Sequence, residues 1–260
     1  MSKDNLNICL LQANLTWEKK EINLATFEQM ILALKNPADI ILLPEMFTTG
    51  FSMNPESLAE CMDGPSVKWM LDKAQKTGSL IAGSLIIKEK SDYFNRFIAM
   101  SPDGIIASYD KRHLFRMSNE EAHYEPGIAR ITFEWRGWRI LPQICYDLRF
   151  PVWIRNQDDY DLMLLVANWP EPRRDVWRTL LLARALENQA YVAGLNRTGR
   201  DNKMVNHAGD SLIISPKGDV IKDFGSNEGS FYADLSKNEL IEFREKFPVN
   251  LDQDTFSVEL

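Results

Sequence analysis

Three consecutive stretches decide the architecture: Leu162-Met163-Leu164-Leu165-Val166-Ala167, then residues 175–189, then residues 191–195. Six apolar residues without alternation read as a strand buried on both faces. Residues 175–189 carry helical periodicity, with Asp175 as the candidate N-cap. Residues 191–195 are again an apolar block of strand length. Working outward, residues 7–11 and 39–43 read as buried strands. An amphipathic helix over 17–34 lies between them, with Ile22, Phe27, Met30, Ile31 and Leu34 at helical spacing. A second helix over 66–76 follows the turn Asp63-Gly64-Pro65. Residues 80–87, 93–100 and 105–109 are strands, the last two joined by Pro102-Asp103-Gly104. Residues 131–135 and 139–144 form a hairpin through Arg136-Gly137. Strands over 211–215, 220–224 and 231–234, a helix over 236–246 and a polar, extended tail from Phe247 complete the chain. With no repeat and no low-complexity linker, the expectation is one α/β domain over residues 1–260. In it two sheets pack face to face with helices outside.

Composition sets the bounds. The chain has 260 residues, 45% hydrophobic and 10% aromatic, which excludes disorder as the main state. The formal net charge of −7 disfavours nucleic acid and anionic membranes as partners. No apolar run approaches the roughly 18 residues of a membrane span. Met1-Ser2-Lys3-Asp4-Asn5 carries an acid and runs directly into a strand, unlike a signal peptide, so a cytoplasmic location is expected. Cys9, Cys61 and Cys145 are odd in number and widely spaced, which fits neither a disulfide framework nor a CxxC site. His113, His123 and His207 form no HExxH pair. No metal and no organic cofactor is expected.

Four segments carry candidate chemistry. In Gln143-Ile144-Cys145-Tyr146-Asp147-Leu148-Arg149-Phe150-Pro151 a strand runs into Cys145, and a helix can start near the proline. A strand-to-turn junction presents a side chain at the sheet end, with backbone N–H groups able to face an oxyanion. Taken alone, the segment fits a buried cysteine packing as a small hydrophobe somewhat better. Glu45 follows the strand Ile41-Leu42-Leu43-Pro44, where a carboxylate in an apolar cleft suits a general base. A solvated loop acid is the alternative. Lys111, in Asp110-Lys111-Arg112-His113-Leu114-Phe115, stands just past a strand and can stabilise an oxyanion or sit in a solvated basic cluster. The loop from Asn119 to Gly127 is dense in acids. A cysteine–histidine hydrolase using His113 or His123 is also compatible with the residue types.

Leu43-Pro44-Glu45, Asp110-Lys111-Arg112-His113-Leu114-Phe115 and Cys145-Tyr146-Asp147-Leu148-Arg149-Phe150-Pro151, in that order, resemble the signature of the nitrilase (carbon–nitrogen hydrolase) superfamily. Val166-Ala167-Asn168-Trp169-Pro170, Ala183-Arg184-Ala185-Leu186-Glu187-Asn188-Gln189 and Gly209-Asp210-Ser211 extend the resemblance over essentially the whole chain. Met46-Phe47-Thr48-Thr49-Gly50-Phe51-Ser52 is most similar to omega-amidases, which hydrolyse the terminal amide of 2-oxo dicarboxylate monoamides. The resemblance implies a four-layer α-β-β-α sandwich with Cys145 as nucleophile, Glu45 as general base and Lys111 as third member. Glu120 best matches a second glutamate, with Glu121 and Glu125 close by. The substrate would meet the backbone N–H of Tyr146, together with Asn168 and Trp169, and Arg116 or Arg173 would take its carboxylate. The resemblance also implies a homodimer pairing through residues 152–156 and 175–189; the polar tail after Phe247, with too few apolar groups to fold back alone, is expected across the partner. Nitrilase, aliphatic amidase and N-carbamoyl amino acid hydrolase activities share the triad, and a non-catalytic binding protein shares the fold.

Overall fold

Unbroken apolar runs become central strands because both of their faces are covered. The computed structural model describes residues 4–259. In chain order the strands are β1 (Asn5–Gln12), β2 (Ile40–Leu42), β3 (Leu80–Glu89), β4 (Asp92–Ser101), β5 (Gly104–Asp110), β6 (Phe133–Trp135), β7 (Trp138–Ile144), β8 (Leu162–Ala167), β9 (Tyr191–Asn196), β10 (Thr198–Arg200), β11 (Asn206–Ala208), β12 (Leu212–Ile214), β13 (Val220–Asp223) and β14 (Gly229–Ser236). The helices are α1 (Lys20–Leu32), α2 (Pro55–Leu58), α3 (Pro65–Thr77), α4 (Pro151–Ile154), α5 (Arg174–Asn188) and α6 (Lys237–Lys246). One sheet has the order β14-β1-β2-β3-β4-β5 and the other β13-β12-β9-β8-β7-β6. Each holds three parallel strands at its centre, β1-β2-β3 and β7-β8-β9, flanked by antiparallel ones.

Alternate residues of a strand point to opposite faces, and three apolar interfaces follow. Leu6, Ile8 and Leu10 of β1 face Leu162, Leu164 and Val166 of β8 between the sheets. Cys9 and Leu11, on the other face of β1, pack with Phe27 of α1 and with Met70 and Ala74 of α3. Met163 and Leu165 of β8 pack outward on Trp177, Leu181 and Ala185 of α5. The layers are therefore α-β-β-α, as the resemblance implied.

The departures from the sequence expectation are local. Helix α1 starts at Lys20 rather than near Trp17, because Glu18 takes a left-handed φ of 53° and donates its N–H to Thr49 O. Asp175 is not the N-cap of α5. A 3₁₀ turn over Glu171–Arg173 leads directly into the helix, so Asp175 sits in its first turn, complementing the positive end of the helix dipole. The β10–β11 hairpin was not expected, since neither of its short strands carries an apolar alternation.

Asp161 ties the last helix to the second sheet. Its buried carboxylate accepts from the Arg139 backbone N–H at 3.0 Å, from Arg139 Nη2 at 2.9 Å and from Arg244 Nη1 at 3.0 Å, and it also pairs with Lys237. Lys237 and Arg244 are both on α6. Burial alone would raise the Asp161 pKa, but the hydrogen bonds from Arg139 and Lys237 outweigh it and hold the group at about 2. A folded pKa below the unfolded value stabilises the fold above the unfolded pKa, and that contribution disappears as pH falls through the folded one. Asp161→Asn should therefore lower the unfolding free energy at pH 7 by about 3 kcal/mol. In urea titrations the gap to wild type should narrow below about pH 4, the ordinary carboxylate range, on the way to 2. A gap that widens in acid would contradict the ion-pair assignment.

Candidate active site

The ends of strands deliver the chemistry to one place. Glu45 follows β2, Lys111 follows β5, Cys145 ends β7 and Asn168 follows β8. In sheets with parallel strands, the carboxyl ends open a crevice of this kind. Two tight backbone bends complete the delivery. Cys145 has φ 45° and Met46, directly after Glu45, has φ 42°. Each is a left-handed conformation costing on the order of 1 kcal/mol for a residue with a side chain. The Met46 bend is held by its N–H donating to Ser84 Oγ at 2.8 Å.

Glu45 is fully buried and satisfied on both oxygens. Oε1 accepts from Asn95 Nδ2 at 2.8 Å and from Lys111 Nζ at 3.0 Å, and Oε2 accepts from the Asn168 N–H at 2.7 Å. Asn168 Nδ2 also donates to the Glu45 carbonyl at 2.7 Å, locking the strand end against the second sheet. Lys111 donates to both oxygens of Glu120 at 3.0 Å, and Glu120 is also held by the Phe115 N–H at 2.6 Å. The loop that carries Glu120 is pinned at its base by Gly127, whose N–H donates to Lys111 O at 2.9 Å. A Cβ at Gly127 would lie 2.1 Å from Asp110 O, so only glycine allows this return. Of the three clustered acids, Glu120 is therefore the one on the lysine. Glu121 pairs with Arg116 and Glu125 is exposed.

The site has two buried carboxylates and one ammonium. Burial opposes the charge on Lys111, but Glu120 and Glu45 overcome it and push the lysine pKa up. Burial raises the Glu120 pKa, helped by Glu45 and opposed by Lys111. Cys145 is raised well above its ordinary value, first by burial and then by Glu45, with Lys111 acting in the opposite direction. The raised pKa favours the protonated form of the Cys145 thiol.

Cys145 and Lys111 open into a cavity of about 400 Å³. Trp17, Phe51, Phe115, Tyr146 and Trp169 give it an aromatic wall, and Asn168 and Arg173 also line it. The structure does not bring Arg116 there. Its side chain is 83% exposed, is turned to Glu121 at 3.5 Å and lines a separate groove, because the 3₁₀ turn at Arg116–Ser118 directs it away. Arg149, passed over in the sequence, takes its place on the wall. It lies over Trp169 at 5.2 Å, and Arg173 lies over Phe115 at 5.5 Å. Among the described residues neither guanidinium has a carboxylate partner. Arg149 stands one turn past Cys145, and that spacing was the available signal. The hairpin loop adds Asp201, Lys203 and His207, and Glu18 faces the cavity while accepting from Ser52 Oγ at 2.5 Å. Asp201 is occupied capping its own turn through the Lys203 and Val205 N–H groups.

A thiol and a buried acid–ammonium–acid array thus meet at the paired sheet ends. Residues 7–245 match the family model described as carbon-nitrogen hydrolase, and the chain belongs to that family. It is 49% identical over 252 residues to omega-amidase YafV of Escherichia coli, covering 96% of this chain and 98% of that protein. It is 38% identical over 250 residues to a 2-oxoglutaramate amidase of Bacillus subtilis, covering 93% and 95%. The crystal structure of XC1258 from Xanthomonas campestris, a CN-hydrolase superfamily protein with an arsenic adduct in its active site, matches with a TM-score of 0.95. The identity is 42%, and the match covers 99% of this chain and 100% of that one.

The electrostatics make a spectroscopic prediction. The difference in ultraviolet thiolate absorbance between the wild type and Cys145→Ser should be absent at neutral pH and emerge only above the ordinary thiol value of 9.0. A thiolate signal at pH 7 would overturn the neutral-thiol assignment.

Proposed function

We propose that this chain is an amidase for small 2-oxo dicarboxylate monoamides, with 2-oxoglutaramate or 2-oxosuccinamate first. The products are the diacid and ammonia, formed through a cysteine thioester. One observation supports the reading most directly. The cavity that receives Cys145 and Lys111 carries two guanidiniums, Arg149 and Arg173, and among the described residues neither is paired with a carboxylate; Glu18 and Asp201 also line the wall but are bonded to Ser52 and to the Lys203 and Val205 N–H groups. A guanidinium offers a carboxylate two parallel hydrogen bonds. The names of the relatives from Escherichia coli and Bacillus subtilis point to the same substrates.

In this reading Glu45 accepts the thiol proton as Cys145 attacks the amide carbon. Lys111 and the backbone N–H of Tyr146 hold the developing oxyanion, each such donor being worth roughly 3–4 kcal/mol. Glu45 returns the proton to nitrogen, the C–N bond breaks and ammonia departs, leaving the thioester. Glu45 then takes a proton from water, whose oxygen attacks the thioester carbon. The C–S bond breaks, the thiol regains its proton and the acid leaves. Glu120 keeps Lys111 charged and aimed, and no metal or organic cofactor takes part. Asn168 holds Glu45, and Trp169 walls the acyl chain. The chain acts as one domain and as a homodimer in the cytoplasm. Val152 and Leu186, 57% and 49% exposed, supply apolar surface on α4 and α5 for that pairing.

Cys145→Ala should abolish ammonia release, and Glu45→Gln and Lys111→Ala should each lower the rate at least about a hundredfold. Across a panel of 2-oxoglutaramate, 2-oxosuccinamate, glutamine, asparagine, aliphatic amides, nitriles and N-carbamoyl amino acids, the 2-oxo monoamides should show the highest kcat/KM. Arg149→Ala and Arg173→Ala should raise KM for the free acids by about tenfold or more, and much less for their esters. If uncharged amides or nitriles are the better substrates, only the wider hydrolase reading survives. Light scattering at micromolar concentration should give the mass of a dimer, and a monomer there would count against the pairing.

A further inference from the structure

We infer that Asp147 is a positioning residue whose carboxylate fixes Lys111 relative to Cys145 across the gap between the two sheets. The inference rests on the proposed use of Cys145 as nucleophile and Lys111 as oxyanion partner. The two residues arrive on different sheets, Lys111 after β5 and Cys145 at the end of β7. No backbone ladder joins those strands, so their mutual placement depends on side chains that bridge them.

Asp147 is fully buried, two residues after the nucleophile. Its Oδ2 accepts from the Ile144 N–H at 3.1 Å and from the Tyr109 hydroxyl at 2.8 Å. Its Oδ1 accepts from the His113 N–H at 2.9 Å and lies 2.8 Å from His113 Nδ1. Ile144 immediately precedes the nucleophile, and Tyr109 and His113 stand two residues before and two residues after Lys111. One carboxylate thus grips the bend at Cys145 and both flanks of the lysine. The Tyr109 hydroxyl extends the joint by accepting from Trp153 Nε1 at 3.0 Å and from the Arg112 N–H at 3.2 Å. The His113 ring lies flat on Phe150, with centroids 3.7 Å apart and planes within 4°. None of the groups in this joint lines the cavity that Cys145 and Lys111 open into, so Asp147 acts through Lys111 and Cys145.

Asp147→Asn keeps the shape while weakening acceptance on one side. A displacement near 1 Å at a reacting centre can cost about a hundredfold in rate. Such a loss should appear in kcat with KM nearly unchanged, because the cavity wall is untouched. The experiment titrates the reactive thiol with a chromogenic reagent, using Cys145→Ala as the blank, and expresses kcat per titrated site. A merely structural role would lower the number of titratable, folded sites and leave kcat per site at the wild-type value. The expected result is a full complement of sites with kcat per site reduced about a hundredfold. Wild-type kcat per site in Asp147→Asn overturns the inference. If that variant does not fold, Tyr109→Phe keeps the ring and removes one bridging hydroxyl. It should lose about tenfold in kcat per site at constant KM, and an unchanged kcat there is equally decisive against the inference. Undiminished turnover by Cys145→Ala would instead refute the catalytic reading itself.

Discussion

An ammonium with no exposure, clasped between two carboxylates with no exposure, is the constraint around which this molecule is arranged. Burying three ionised groups is unfavourable unless each is paired and its remaining hydrogen-bonding capacity is filled. The fold meets the requirement with uncharged donors. Asn95 and the Asn168 N–H serve Glu45, and the Phe115 N–H serves Glu120. Those donors come from both sheets and from the loop returning at Gly127, so the array forms only when the layers are fully docked. Ordering of the array and of the tertiary structure are therefore the same event.

The division of labour between sheets follows from this. The first sheet supplies Glu45 and Lys111, and the second supplies Cys145 and the Asn168 N–H that fixes Glu45. The bends at Met46 and Cys145 are unfavourable locally, yet they turn two chains sharply at the crevice so that side chains, rather than backbone, fill it. The walls of the cavity come from other places. Trp17 and Phe51 lie in loops beside the first sheet, and the β10–β11 hairpin closes another side. Substrate choice can change in these loops while the buried array remains intact.

The layered fold was legible because Leu162–Ala167 and its counterparts lack alternation, and only burial on both faces explains such runs. Glu45, Lys111 and Cys145 stood out as polar residues placed immediately after apolar strands. Glu120 was harder to single out. Three acids share that loop, and only the αL turn at Asn119, which turns Glu120 inward and leaves Glu121 with Arg116, separates them. Arg116 misled for the same reason, since nearness in sequence to Lys111 does not survive a 3₁₀ turn. Arg149 lay inside the nucleophile segment, but its direction depends on the short helical turn over Cys145–Arg149. The start of α1 and the β10–β11 hairpin depend on tertiary hydrogen bonds with no local sequence pattern.

The upward shift of the Cys145 pKa has a consequence for resistance to oxidants. Peroxide attacks thiolates far faster than thiols, and the first product, a sulfenic acid, leads on to irreversible forms. In the proposed mechanism Cys145 gives up its proton only during attack, and so presents little thiolate to stray oxidants between turnovers. Cys61, by contrast, is exposed to solvent. On the proposed reading, the same surroundings that hold the Cys145 pKa up also slow the chemical loss of the cysteine.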